Sequence, residues 1–256
     1  MSLFGIDIYF GDDAASTPAH IDFARMKAAG ALFCIVKAGQ NGFEDPLFRA
    51  HVDGAKAAGL ITGAYYFLDR RSSFANQAAH FVTLCQLRPT NLPPWLDFES
   101  VVSAADAGAV RLELKAAALT VKDGLGRCGL YTSRSKWAQL GTTDPAWVAM
   151  MPYLWIAQYP LKADGTKYKT LAEIATKPTP TFAPWPKSDI WQFTDKADGL
   201  AYGLESLGAD GNRFDGTLDD LKRLCVGLDA PPVLTVEQRL DDHDRRLRRL
   251  EQIAGI

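Results

Sequence analysis

Cysteine and histidine are scarce, four of each in 256 residues, and neither is spaced for metal or redox work. Cys34, Cys85, Cys128 and Cys225 lie far apart, mostly in apolar settings such as "LFCIVK", without the close pairs of a zinc site. They are expected to be reduced core residues. His20, His51, His80 and His243 have no paired spacing; they are expected on helical segments and outside catalysis, so no metal and no cofactor is expected. An excess of positive charge is missing as well. The net charge is -2 and the pI about 6.1, which offers no field for a polyanion and excludes nucleic acid as a partner. No run approaches the roughly 18 apolar residues of a membrane span, so no membrane insertion is expected. The start "MSLFGIDIYFGDD" lacks the cationic head, long apolar centre and cleavage site of a secretory leader. The expectation is a protein made in the cytoplasm that reaches any outer target only after release. A Ser-His-Asp arrangement and a phosphate-binding glycine loop are also absent.

Short apolar runs are what the chain has. "FGIDIY" (4–9), "ALFCIVKA" (31–38), "ITGAYYFL" (61–68), "PPWLDFE" (93–99) and "CGLYTS" (128–133) are continuous rather than alternating, as in strands covered on both faces. Helical segments separate them. Thr17 and Pro18 open one that Gly30 stops, Asp45 and Pro46 open a second that Gly59 stops, a third follows Ser72 or Ser73, and a fourth follows Ser103. Strand and helix alternating every 30 residues or so predicts a parallel barrel or a doubly wound sheet. "YLWIAQY" (153–159), "DIWQFT" (189–194) and "GADGNRF" (208–214) bring the strand count to eight and favour a barrel with an irregular second half. Domain boundaries follow from composition: a barrel over 1–227, a proline-marked linker over 228–235, and an amphipathic helix over 236–256. In that helix Val236, Leu240, His243, Leu247, Leu250 and Ala254 alternate in steps of four and three, the seam either of a short coiled coil and homo-oligomer or of an amphipathic helix packed back on the barrel.

Acidic residues at strand ends carry the chemistry. Asp97 and Glu99 are two residues apart in "PPWLDFES", and with 30 acids in 256 residues chance supplies roughly three or four such pairs. Context separates this pair from the others. Residues i and i+2 of a strand face one side, and a buried strand does not carry two carboxylates on one side without a use or a partner. At the C-terminal end of a barrel strand that side is the mouth. Asp7, Lys37, Tyr65, Tyr66, Tyr131, Gln158 or Tyr159, Gln192 and Asp210 fall at the same level of other strands, and Trp95 and Trp155 lie in the core or line the opening. Acids converging on an aromatic-lined mouth suit a glycosidase: rings cover the apolar faces of sugars, and carboxylates donate protons and stabilise an oxocarbenium ion.

The ordered pieces "GIDIY", "VKAGQNGFEDPLFRAHVDGAKAAGLITGAYYF", "LDFE", "GLYTS", "LWIAQY", "IWQFT" and "ADGNRF" run through most of residues 4–216. Together they resemble the glycoside hydrolase family 25 lysozymes, the Chalaropsis-type muramidases. The resemblance implies an irregular TIM-like (β/α)5(β)3 barrel of the α/β class. It implies cleavage of the β-1,4 bond from N-acetylmuramic acid to N-acetylglucosamine in bacterial peptidoglycan. Carried over by position, Glu99 is the proton donor, Asp97 its partner, and Asp7 and Asp210 complete an acidic floor; Tyr65 and Tyr131 contact sugar, with Lys37, Trp155 and Gln192 beside them. The family usually has Ser at position 9, Thr at 39 and His at 66, where this chain has Tyr9, Gly39 and Tyr66, and these departures are expected at the mouth. Together with the absent leader and the heptad tail, the resemblance points to a phage or prophage endolysin, released through a membrane hole or borne on a virion. Two other functions share the features: a family 18 chitinase-like enzyme, which also ends a strand in Asp-x-Glu, and an inactive wall-binding or structural phage barrel.

Overall fold

The structure is a computed structural model that describes residues 2–13 and 20–225. Nine strands form in chain order: β1 (Ser2–Ile8), β2 (Ala31–Gln40), β3 (Phe43–Glu44), β4 (Ile61–Phe67), β5 (Pro94–Asp97), β6 (Gly129–Ser133), β7 (Tyr153–Ala157), β8 (Ile190–Asp198) and β9 (Gly208–Asp215). Eight of them close a barrel in the order β1-β9-β8-β7-β6-β5-β4-β2, with β2 returning to β1; β3 is a two-residue arm on the edge of β2. Helices α1 (Phe23–Ala28), α2 (Phe48–Ala57), α3 (Phe74–Leu87) and α4 (Ala107–Leu125) follow β1, β2, β4 and β5. The short α5 (Arg134–Ala138) and α6 (Ala146–Met150) follow β6, and α7 (Leu218–Leu224) follows β9. Five strand–helix units and then three strands make up the circuit, as the eight strand candidates and the resemblance imply. The last strand is reversed: β9 runs antiparallel to both β8 and β1.

Two packed layers follow from strand periodicity. Phe33, Ile35, Trp95, Tyr131, Trp155, Ile190 and Phe214 point inward and fill the barrel. Their neighbours Ile6, Ile8, Cys34, Val36, Leu96, Leu130, Leu154 and Ile156 point outward, against helix residues such as Met26, Val52, Phe81 and Leu114. Large rings inside so narrow a barrel need small partners. A Cβ on Gly5 would overlap the Phe33 ring, and one on Gly129 would lie 2.5 Å from Trp95. Gly129→Ala is therefore expected to cost about 1–3 kcal/mol by overpacking, measured as a lower denaturation midpoint at unchanged m-value.

The start of α1 differs from expectation. Thr17 and Pro18 lie outside the described residues, and the described helix begins only at Phe23, where the Asp22 carboxylate accepts from Arg25 N at 2.8 Å. A carboxylate one residue ahead of Phe23 supplies the cap itself. His20 consequently sits in a loop rather than on a helix, while His51 and His80 are helical; His243 lies outside the described residues. Cys34, Cys85 and Cys128 are buried free thiols, but Cys225 is only half-buried. The linker and helix expected over 228–256 also lie outside the described residues. Among the described residues no helix is long and apolar enough to cross a membrane.

Candidate active site

Strand register brings the acids together. Asp7 pairs with Asp210 across β1 and β9, Phe67 with Asp97, Asp97 with Tyr131, and Tyr131 with Trp155. The parallel strands deliver their C-terminal ends to the mouth. Because β9 runs the other way, it delivers its N-terminal part there, and so Asp210, its third residue, reaches the same level as Asp7. A cleft of about 310 Å³ opens at this end. Nine residues expected from the sequence line it: Asp7, Asp97, Glu99, Asp210, Tyr65, Tyr131, Lys37, Trp155 and Gln192. A larger hollow of about 580 Å³ lies at the opposite end, beside Asp189, Asp215 and Asp220. Its acids are matched by Lys187, Arg213 and Arg223, so nothing there is poised for proton transfer.

Asp7 is the most tightly held of the four acids. Its Oδ1 accepts from Asn212 Nδ2 at 2.6 Å and from Gln192 Nε2 at 2.9 Å. Asn212 accepts in turn from Trp155 Nε1 at 2.8 Å, and Gln192 Oε1 accepts from Tyr131 at 2.7 Å and Tyr159 at 2.5 Å. Burial, and then the charge of Asp210, raise the Asp7 carboxyl well above the usual range, against the pull of these two amides. Burial also pushes Asp210 up to about 7, helped by Asp12, Asp195 and Glu99. Two carboxyls in one register pair of which one keeps its proton near neutrality form a shared acidic floor.

Asp97 and Glu99 differ from that floor and from one another. Asp97 is buried, and its Oδ1 has no hydrogen-bond partner among the described residues. Burial first, then the Glu99 charge, raise its carboxyl well above the usual range, while Lys37 opposes the shift. Burial conversely lowers the Lys37 ammonium, and the charges of Asp97, Asp45 and Glu99 counter it. Glu99 is half-buried and lies just past the end of β5. The peptide before it is fixed: Phe98 N donates to Tyr131 O at 2.9 Å, and Thr132 Oγ1 donates to Phe98 O at 2.6 Å. Leu96 and Phe98 are buried in the outer layer, so the two carboxylates share the inner side.

Several site residues were not singled out by the sequence. Asn212, fully buried beside Asp7, stands two residues after Asp210 on the same face, and that spacing was its signal. Asp195 lines the cleft and takes Lys167 Nζ at 2.8 Å on both oxygens. A strict alternation from Gln192 would turn it outward, but register shifts on either side of Thr194 reverse the strand's face. Phe67 continues the inward series of β4, and Tyr159 rather than the exposed Gln158 lines the cleft. Of the three departures, only Tyr9 does so. Tyr66 is fully buried and faces α3, its ring 5.5 Å from Phe81, and Gly39 pairs with it in the register. The expectation that both sit at the mouth is corrected: inward residues reach the cleft, and position 66 points outward.

The family described as glycosyl hydrolases family 25 matches residues 12–199. That stretch holds Asp97 and Glu99, whereas Asp7 and Asp210 lie outside it and join the site through strand register. The N,O-diacetylmuramidase of Chalaropsis is 28% identical over 231 residues, covering 85% of this chain and 99% of that protein. The muramidase of Trichobolus zukalii is 26% identical at a TM-score of 0.64, covering 87% of this chain and 98% of the other. A family GH25 lysozyme from Aspergillus fumigatus, 22% identical with a TM-score of 0.68 over 89% of this chain and all of the other, shares the fold.

Proposed function

Since the chain belongs to glycosyl hydrolase family 25, we propose that it is a lysozyme that hydrolyses the β-1,4 bond from N-acetylmuramic acid to N-acetylglucosamine in bacterial peptidoglycan. The observation that carries this reading is the pairing of a half-buried Glu99 with a buried Asp97 whose Oδ1 has no hydrogen-bond partner among the described residues, on one side of an aromatic-lined cleft. Glu99 protonates the glycosidic oxygen as its bond to C1 breaks. The substrate's acetamido oxygen closes on C1, and Asp97 accepts the acetamido N–H, which becomes more acidic as positive charge develops. Water then opens the ring, giving its proton back to Glu99. Asp7 and Asp210 form the floor, Tyr65, Tyr131 and Trp155 face the sugar, and Gln192 serves mainly by holding Asp7. Lys37 keeps the acids from repelling one another.

The test is chemical. Walls digested by the protein and reduced with borohydride should yield reduced muramic acid at new chain ends, and the first-formed product should be the β-anomer by NMR. New ends on glucosamine would overturn the bond assignment, and early inversion would overturn the acetamido route. Within the same proposal, the chain acts on the wall after release by a membrane hole or from a virion, and the heptad-spaced segment 236–256 self-associates.

A further inference from the structure

Phe43 is 70% exposed and Phe10 45% exposed, and both stand beside the cleft on segments the fold holds in place. Residues 40–43 make a two-residue turn with Asn41 at φ 48° and Gly42 at φ 82°, the left-handed pair that tight hairpins use. Gln40 and Phe43 pair directly across it, and directly opposed residues of an antiparallel ribbon face the same side. The Gln40 side chain accepts from Lys37 Nζ at 2.6 Å, and Lys37 lines the cleft. Phe43 therefore faces the cleft side of the ribbon.

The second segment is tied to the first. Asp45, just past the ribbon, accepts from Phe10 N at 3.1 Å while its own N donates to Ala38 O at 2.9 Å. Asp12 accepts from Tyr9 N at 3.0 Å. The Tyr9 and Phe10 rings meet edge to face at 5.4 Å, and a Cβ on Gly11 would strike the Tyr9 ring. From behind, the Tyr66 hydroxyl accepts from Gly42 N at 2.8 Å, and Gln77 accepts from Asn41 N at 3.1 Å. Side-chain volume at Gly39 would overlap the Phe43 carbonyl. The backbone of both segments is thus held in place while the Phe10 and Phe43 rings stand in solvent, and Tyr9 lines the cleft between β1 and Phe10.

Exposed rings on held backbone next to the cleft suit a further sugar, because a pyranose presents an apolar C–H face that a ring can cover. We propose that Tyr9, Phe10 and Phe43 form an accessory glycan subsite that takes a pyranose of an extended amino-sugar strand, beyond the sugars flanking the cleaved bond. This rests on the reading of the cleft as a glycan site. The test is calorimetric binding in a Glu99→Gln background, which separates affinity from turnover. Uncrosslinked peptidoglycan strands and a tetrasaccharide cut from them are titrated into that protein and into the same protein carrying Phe10→Ala and Phe43→Ala. Both replaced rings are exposed, so folding is not at stake. Affinity for long strands should fall about tenfold, and affinity for the tetrasaccharide should change less than about twofold. No loss on long strands, or an equal loss on both ligands, would overturn the subsite while leaving the cleft intact. Failure of the unsubstituted background to bind either glycan would overturn the cleft reading and the subsite with it.

Discussion

Replacing Glu99 with glutamine is expected to lower wall lysis by about a thousandfold or more while leaving the thermal midpoint unchanged. A positioned general acid contributes about 10²–10⁴-fold, and glutamine keeps the shape of glutamate but has no proton to give to the leaving oxygen. Stability should hold because Glu99 is half-buried and lies beyond the last residue of β5. No hydrogen bond among the described residues ties its carboxylate to the barrel wall. Asp7 offers the contrast: two amides at 2.6 and 2.9 Å make it part of the wall, so its replacement would disturb structure and activity together. The pair of measurements is turbidity loss of a wall suspension and thermal unfolding of the same preparations. Lysis within tenfold of the parent would remove Glu99 from the role of acid and leave the family membership without its expected chemistry.

The first five parallel barrel strands were legible because both of their faces are buried, which makes each a continuous apolar run between turn residues. The acidic mouth was legible because Asp7, Asp97 and Glu99 interrupt such runs at their ends. Direction was less visible. Nothing in "GADGNRF" announces that β9 is antiparallel, yet Asp210 still reaches the mouth because it lies near the strand's beginning. What escaped depends on local irregularity. Register shifts turn Asp195 inward against its alternation, and a shift between Lys37 and Gly39 sends Gln40 toward Lys37. The hairpin carrying Phe43 does have a sequence signal, the Asn41-Gly42 pair that favours positive φ at both positions. Tyr66 was misplaced because its neighbour Tyr65 does face the cleft, and adjacent strand residues alternate. Its hydroxyl instead holds the ribbon from behind.

Asp97→Asn is expected to separate activity from stability in opposite directions. Asp97 is buried, and its carboxyl is raised well above 3.8, by burial first and by Glu99 second. In the unfolded chain the same group titrates near 3.8. Between those two values the unfolded state holds fewer protons than the folded one, so folding stability falls as pH rises through the window, and below about 4 the group is protonated in both states and costs nothing. Asparagine never ionises. The variant should match the parent's thermal midpoint near pH 4 and exceed it by a margin that grows as pH rises through that window and then levels off. Activity should move the other way, falling about a hundredfold in kcat with KM nearly unchanged. The asparagine oxygen still accepts the acetamido N–H in the ground state, but it carries no charge to stabilise the positive ring formed in the transition state. Unchanged kcat would remove Asp97 from the acetamido route. A midpoint that drops below the parent's as pH rises would mean that Lys37, whose charge faces Asp97 and Glu99, already compensates the buried carboxylate, and that the ionised acid is part of what holds the mouth together.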